Sequence, residues 1–361
     1  MKLIKVLYVV ENLQAKGGIQ TFAQTTAEEL EGMYTIKLAP WHSPLSLFQR
    51  GIVFLSPTLL GSWLYTRFLQ SHTQIVREDK YDVIHFWNIK TAMAIAGKTK
   101  IPFIVTCHGF EIMQPNIARF QIKLFLKTLE DASAITTPSH YTKNYLIKYY
   151  GVDAEKIFVI YPSISIPKTI IQHKSTQEIK TIGTLTRIGG RKNVTNVVKA
   201  LKLLQAQGIE FRFILAGTGP SSAVKPVIAE LKNSTLNWRY LGKVTDSKKW
   251  SDFYPSLDVF VLAPVETNRD VEGFGIVFLE ANAYGIPVVA SNTGGISDAV
   301  KEGISGLFSD PNNPNDIAEK INILLTSNKN YRESASRWAK KFNPRKTATQ
   351  FQQLYSKITT T

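Results

Sequence analysis

Glu272 and Glu280 stand eight positions apart across Gly273, Phe274 and Gly275. The glycines let the backbone turn tightly and approach a ligand closely. The apolar segment from Ile276 to Tyr284 reads as a buried helix, and the β-branched run Pro287–Ala290 after it reads as a parallel strand. A glycine turn opening a helix presents free backbone N–H groups at its positive end, a setting suited to an anion. One carboxylate can then face a reacting group while the other reaches hydroxyls from the helix flank. A loop glutamate followed by a solvated helix glutamate is the plain alternative.

Other turns supply what an anion-plus-sugar site needs. Gly17 and Gly18 follow the first strand and precede a helix expected from Gln20 to Leu30, where backbone amides can meet a phosphate or sugar. The spacing is not that of a dinucleotide fingerprint. Arg187 and Lys192 flank the glycine-rich turn Ile188–Arg191, and two cations there can neutralise a diphosphate, Arg bidentately. Arg191 is a third cation that spacing does not exclude. Leu215–Pro220 ends another strand, where Gly217 and Gly219 leave room for a nucleotide base, and Gly294 and Gly295 end the strand after the glutamate pair. Cys107 and His108 invite a nucleophile–base reading, but neighbours in a strand point to opposite faces. His108 as a structural residue stays open.

The elements that must position these residues alternate throughout. Strands are expected at Val6–Val10, Thr35–Ala39, Val83–Phe86, Phe103–Thr106 and Ala134–Thr137, then at Lys180–Gly183, Phe211–Ala216, Trp238–Leu241, Val259–Leu262 and Pro287–Ala290. Such alternation predicts an α/β protein with two Rossmann-like, doubly wound parallel-sheet domains facing a cleft. A chain of 361 residues agrees with two cores. Pro162, Pro167 and the polar stretch to Thr176 place a linker at 162–179, between one domain at 1–161 and a second at 180–343. The helix expected in 344–361, with Phe351 and Tyr355 on one face, is expected to pack back on the first domain.

Composition narrows the function. The formal charge of +15 calls for nucleic acid, an anionic membrane or anionic substrates. It is dispersed: 19 basic and 12 acidic residues fall in the first 175 positions, 24 and 16 in the rest. No recognised DNA- or RNA-binding signature accompanies it, so no nucleic-acid partner is expected. The single cysteine agrees with a reducing compartment. No apolar run reaches the roughly 18–20 residues of a membrane span, and the apolar N-terminus reads as a strand. A cytoplasmic protein is expected, or one lying on the inner face of the plasma membrane. A stripe of Arg119, Lys123 and Lys127 beside Phe120 and Leu124 suits an anionic bilayer surface, with Trp63–Phe68 as an added apolar contact. An ordinary amphipathic helix on a sheet explains the stripe equally.

The order Gly17-Gly18, His108-Gly109, Arg187 with Lys192, then Glu-x7-Glu at 272 and 280 resembles the retaining glycosyltransferases of family 4, which have the GT-B fold. The resemblance covers most of the chain and is strongest from Gly183 to Leu307. It implies transfer of a sugar, with retained anomeric configuration, from a nucleotide-diphosphate donor to a glycan or lipid-linked acceptor. It gives the diphosphate to Arg187 and Lys192, the donor sugar to Glu272 and His108, and the ribose to Glu280. A nucleotide-sugar epimerase on the same fold is the second enzyme reading, and a basic nucleic-acid-binding protein the third. No Asp-x-Asp metal–diphosphate motif occurs, so a metal-independent hexosyltransferase without a cofactor is expected. The chain departs from the family pattern at Ser163-Ile164 after Pro162, at Asp298 near Gly294-Gly295, and at Asn193 after Lys192.

Overall fold

The computed structural model describes residues 4–11, 18–32, 34–41, 81–94, 97–114, 117, 121–164, 179–327 and 329–360. Gly17, Arg119, Phe120, Trp63–Phe68 and most of the expected linker lie outside them. The chain divides into two compact units, Met1–Ser163 with Pro344–Thr361, and Ile164–Asn343.

Unit 1 carries a parallel sheet of β1 (Lys5–Glu11), β2 (Thr35–Trp41), β3 (Val83–Phe86), β4 (Phe103–Thr106), β5 (Ala134–Thr137) and β6 (Ile157–Val159), in the order β2-β1-β3-β4-β5-β6. β3, β4 and β5 are buried at every position, as strands covered on both faces by helices must be. The longer helices between these strands are α1 (Gly18–Leu30), α2 (Ile122–Asp131) and α3 (His140–Tyr150). Ser139 caps the start of α3 by accepting the Thr142 N–H, and Gly151 ends it in the left-handed conformation at φ 64°.

Unit 2 repeats the plan with β7 (Lys180–Leu185), β8 (Phe211–Ala216), β9 (Asn237–Gly242), β10 (Val259–Leu262), β11 (Val288–Ser291) and β12 (Gly306–Ser309), ordered β12-β11-β10-β7-β8-β9 and parallel throughout. Its longer helices are α4 (Val194–Ala206), α5 (Ser221–Lys232), α6 (Ile276–Ala283), α7 (Pro314–Thr326) and α8 (Tyr331–Ala339). In each sheet the order reverses once, between β1 and β3 and between β10 and β7. The crevice beyond the strand C-termini at such a reversal is where open α/β sheets bind ligands.

The last helix, α9 (Pro344–Thr360), belongs to unit 1. Phe351, Leu354 and Tyr355 are buried among Val6, Tyr8, Phe22 and Trp87. A buried polar chain runs through this core. The Tyr355 hydroxyl meets Tyr8 Oη at 2.7 Å and His85 Nδ1 at 2.8 Å; His85 Nε2 meets Thr106 Oγ1 at 2.7 Å, which meets Thr136 Oγ1 at 2.6 Å. Every atom in it can donate or accept, so one neutral imidazole satisfies the series. Burial holds the His85 pKa well below its ordinary value, and His108 adds to the effect.

β6 and β12, three and four residues long, lie at sheet edges and were not expected. Thr35–Trp41, Lys180–Leu185 and Val288–Ser291 run past the expected ends or shift by one residue.

Candidate active site

Two loops, from the ends of β7 and β10, build the site in unit 2. After β7 the backbone continues to pair with its neighbour: Thr186 N–H donates to Ala216 O at 3.1 Å and Ile188 N–H to Thr218 O at 2.9 Å. This close run explains two glycines. A Cβ on Gly217 would stand 1.7 Å from Thr186 O, and one on Gly219 1.8 Å from Ile188 O. Gly217 also has φ 119°, so packing of the two loops already requires glycine, with or without a base nearby.

The loop then turns through Gly190–Lys192 into Asn193, which is left-handed at φ 55°. Asn tolerates that conformation better than other residues with a side chain. Its Nδ2 donates to Ala263 O at 3.0 Å and Pro311 O at 2.7 Å, tying the turn to the ends of β10 and β12. A glycine would meet the same backbone demand at this position.

Glu272, 80 residues beyond Lys192, is the centre of the charge cluster. Its Oε2 accepts Lys192 Nζ in a short contact and Arg191 Nη1 at 3.0 Å. Arg191 Nε lies 2.7 Å from Asp270 Oδ2, within ion-pair distance but off the N–H line needed for a good hydrogen bond. Burial pushes the Glu272 pKa up, but Lys192 and Arg191 outweigh it and hold the carboxyl below the usual range. The same carboxylates raise the Arg191 pKa against its own burial. Arg187 is exposed and has no ionic partner among the described residues.

The Glu272 backbone carbonyl accepts Gly295 N–H at 2.8 Å, and a Cβ on Gly294 would stand 2.4 Å from that oxygen. Gly275, at φ 88°, caps α6 with no side-chain partner for the helix N-terminus. Phe274 is buried, with its ring 5.9 Å from that of Phe342. A ligand at Gly273–Gly275 therefore meets backbone, not the phenyl ring.

Glu280 is buried on α6. Its Oε1 accepts Lys249 Nζ at 2.7 Å and its Oε2 accepts the Tyr254 hydroxyl at 2.7 Å. Burial and Glu280 together push the Tyr254 pKa well up, so it stays a donor. Each carboxylate oxygen keeps a second lone pair for a hydroxyl. Lys249, Tyr254, Asp270 and Arg191's part in the cluster were not found from sequence. Only Arg191 carried a signal there, its place beside Lys192.

In unit 1 the loops after β3 and β4 bring Trp87 and His108 together. His108 is half-buried, and its Nε2 stands 2.9 Å from Trp87 O. A carbonyl only accepts, so Nε2 carries the proton and Nδ1 is the acceptor of the neutral ring. Burial lowers its pKa, and Glu111 and the Trp87 carbonyl offset only part of this. The His108 backbone N–H donates to the buried Glu111 carboxylate in a short contact, and Gly109 takes φ 126°. Cys107 is fully buried and its thiol pKa is pushed well up by burial, which leaves no thiolate for a Cys–His pair. Gly18 opens α1, and a Cβ there would meet open space.

On α2, Phe125 and Leu129 are in the core with Leu124 packed against them, while Lys123, Leu126 and Lys127 are exposed. Lys127 pairs with Asp131 at 3.0 Å. The apolar face thus covers the sheet and the basic stripe faces outward. Among the described residues no helix is long and apolar enough to cross a membrane.

The comparisons agree with this architecture. Residues 16–166 match the model of Glycosyltransferase Family 4, and residues 165–342 that of Glycosyl transferases group 1. An uncharacterized glycosyltransferase of Methanocaldococcus jannaschii is 26% identical over 296 residues, 79% of this chain and 78% of the relative. A GDP-mannose-dependent alpha-(1-6)-phosphatidylinositol monomannoside mannosyltransferase of Mycobacterium tuberculosis is 25% identical over 64% of this chain and 62% of its own. Among solved structures, HepE of Anabaena in complex with UDP and glucose superposes with TM-score 0.74 at 19% identity, covering 98% of this chain and 100% of that one. Sucrose-phosphate synthase of Thermosynechococcus elongatus gives 0.77 at 16%, covering 98% and 99%. With matched models spanning both units and GT-B structures as neighbours, the chain belongs to the family 4, group 1 glycosyltransferases.

Proposed function

We propose that this glycosyltransferase moves a hexose from a nucleoside-diphosphate donor to a glycan or lipid-linked acceptor with retention of anomeric configuration and without a metal ion. The observation that carries the reading is the pair Lys192–Glu272 beside the glycine-lined start of α6, which has no side-chain cap. Breaking a glycosyl–phosphate bond puts negative charge on the leaving diphosphate and oxocarbenium character on the sugar. Lys192, the exposed Arg187 and the positive end of α6 stabilise the first more as charge develops. That is the work a divalent cation does elsewhere. Glu272 supplies an ionised carboxylate for donor-sugar hydroxyls, and Glu280 has lone pairs left for a ribose. In unit 1 the reading gives His108 a sugar hydroxyl at Nδ1. UDP and glucose in the HepE complex, and the GDP-mannose and phosphatidylinositol mannoside named for the mycobacterial relative, support the donor and acceptor classes.

The protein should act in the cytoplasm, at an anionic membrane surface through Lys123, Leu126 and Lys127. Charge reversal at Arg119, Lys123 and Lys127 should then abolish partitioning onto anionic vesicles; unchanged partitioning refutes the membrane part alone. The main test is calorimetric titration with UDP, GDP, ADP and their common sugar conjugates in EDTA. Binding of one nucleotide family, lost in Lys192→Ala, is the expected result. No binding to any, or binding only with added metal, overturns the reading or its metal-free part respectively.

A further inference from the structure

Resting on the donor reading above, we infer that Arg191 is a positioning residue for Glu272, not a second diphosphate ligand, and that it holds the carboxylate while Lys192 leaves it for the incoming diphosphate. The two neighbouring cations are built into the cluster differently. Arg191 lies between two carboxylates, with Nε 2.7 Å from Asp270 and Nη1 3.0 Å from Glu272. A rigid guanidinium fork suits that span and a single ammonium does not. The backbone of Arg191 is fixed as well, since its carbonyl accepts Val265 N–H at 2.9 Å. Lys192 has one ionic partner among the described residues, the same Glu272 oxygen, and a flexible stem.

Charge decides which cation moves. Arg191, Lys192, Asp270 and Glu272 sum to zero, so an arriving diphosphate is favoured only if a cation turns toward it. If Arg191 left, Asp270 and Glu272 would face the anion with one lysine between them. If Lys192 leaves, Arg191 still neutralises Glu272, and the more exposed Asp270 keeps water and the guanidinium. The departure also frees a lone pair on Glu272 Oε2 for a hydroxyl of the donor sugar. Binding of the diphosphate thereby readies the sugar contact.

The test is a double-mutant cycle on the intact protein, using whichever of UDP, GDP or ADP the unmodified chain binds, and its sugar conjugate. Glu272→Gln should tighten binding of the free nucleoside diphosphate by roughly three- to tenfold, because no ion pair must open, while cutting turnover. Arg191→Met alone should weaken the free diphosphate several-fold, because Glu272 then grips Lys192 alone. In the Glu272→Gln background the same change should alter it less than about twofold. Arg191→Met should also erase most of the preference for the sugar conjugate over the free diphosphate. Arg191→Lys, which keeps the charge but cannot span both carboxylates, should be intermediate; it serves if the methionine variant does not fold. Equal losses of about tenfold or more in both backgrounds would make Arg191 a direct ligand and overturn the inference while leaving the donor reading intact. Absence of nucleotide binding in the unmodified chain overturns both.

Discussion

Tyr355→Phe tests whether the buried polar chain anchors α9 to unit 1. The substitution keeps the ring contacts with Tyr8, Tyr34, His85 and Phe351 and removes only the hydroxyl. That hydroxyl serves Tyr8 Oη at 2.7 Å and His85 Nδ1 at 2.8 Å, both fully buried. Two internal hydrogen bonds contribute about 1 kcal/mol each, and a stranded imidazole nitrogen costs about 1–2 kcal/mol more. The expected loss is therefore about 3 kcal/mol. With a denaturant slope near 2–3 kcal/mol/M, the urea midpoint should fall by roughly 1–1.5 M. Near-UV circular dichroism is a suitable signal, because Trp87 stacks on His85 at 4.4 Å. Tyr34→Phe is the control: its hydroxyl makes one 3.3 Å bond to Gln352 O, and its removal should cost about 1 kcal/mol or less. Tyr8→Phe should cost less in the Tyr355→Phe background than alone, since its partner is already gone. A midpoint shift under about 0.2 M for Tyr355→Phe would refute the anchoring role.

The depressed pKa of His85 makes unit 1 acid-sensitive. Below the unfolded value near 6.5 the unfolded chain takes a proton that the buried ring refuses, so stability falls with pH, by about 1.4 kcal/mol at pH 5.5 relative to alkaline pH. Denaturation midpoints from pH 8 to 5 in His85→Gln should lose this part of the slope; an unchanged slope counts against it. Gly217→Ala should cost more than about 3 kcal/mol, since Thr186 O blocks its Cβ and φ is 119°, whereas Gly18→Ala should stay within about 0.5 kcal/mol by thermal melting. Lys249→Met should weaken nucleotide binding by leaving Glu280 with Tyr254 as its one described partner, and titration calorimetry reads it directly. Unchanged affinity would mean that Lys249 does not tune Glu280.

Ten of the twelve described strands are visible as short apolar runs; the inner ones, such as β3, β4, β5 and β10, need no alternation because both of their faces are buried. β6 and β12 escape because three or four residues at an edge carry too little pattern, and β12 opens with Gly306 and closes with Ser309. The positive turn around Lys192 is legible because cations and glycines adjoin in sequence. Its partners are not, because Glu272 lies 80 residues away on a loop from another strand. Spacing leaves Arg191 and Lys192 equivalent, and only the position of Asp270 separates them. Gly217 reads as an opening for a ligand, yet its reason is a carbonyl of the neighbouring loop. The α2 periodicity shows a basic stripe and an apolar one; which faces outward depends on the sheet beneath.

The helix that completes unit 1 is translated only after all of unit 2. Ile164–Asn343 is 180 residues, on the order of ten to forty seconds of synthesis at the usual rates. Throughout that interval Tyr8 and His85 lack their partner on α9, and the apolar surface around Phe22 and Trp87 stays uncovered. Unit 2 has its own core within one continuous segment and can close first on the ribosome. Unit 1 is complete only once α9 has been made, and until then the chain's first half is the part that a chaperone would have to shelter.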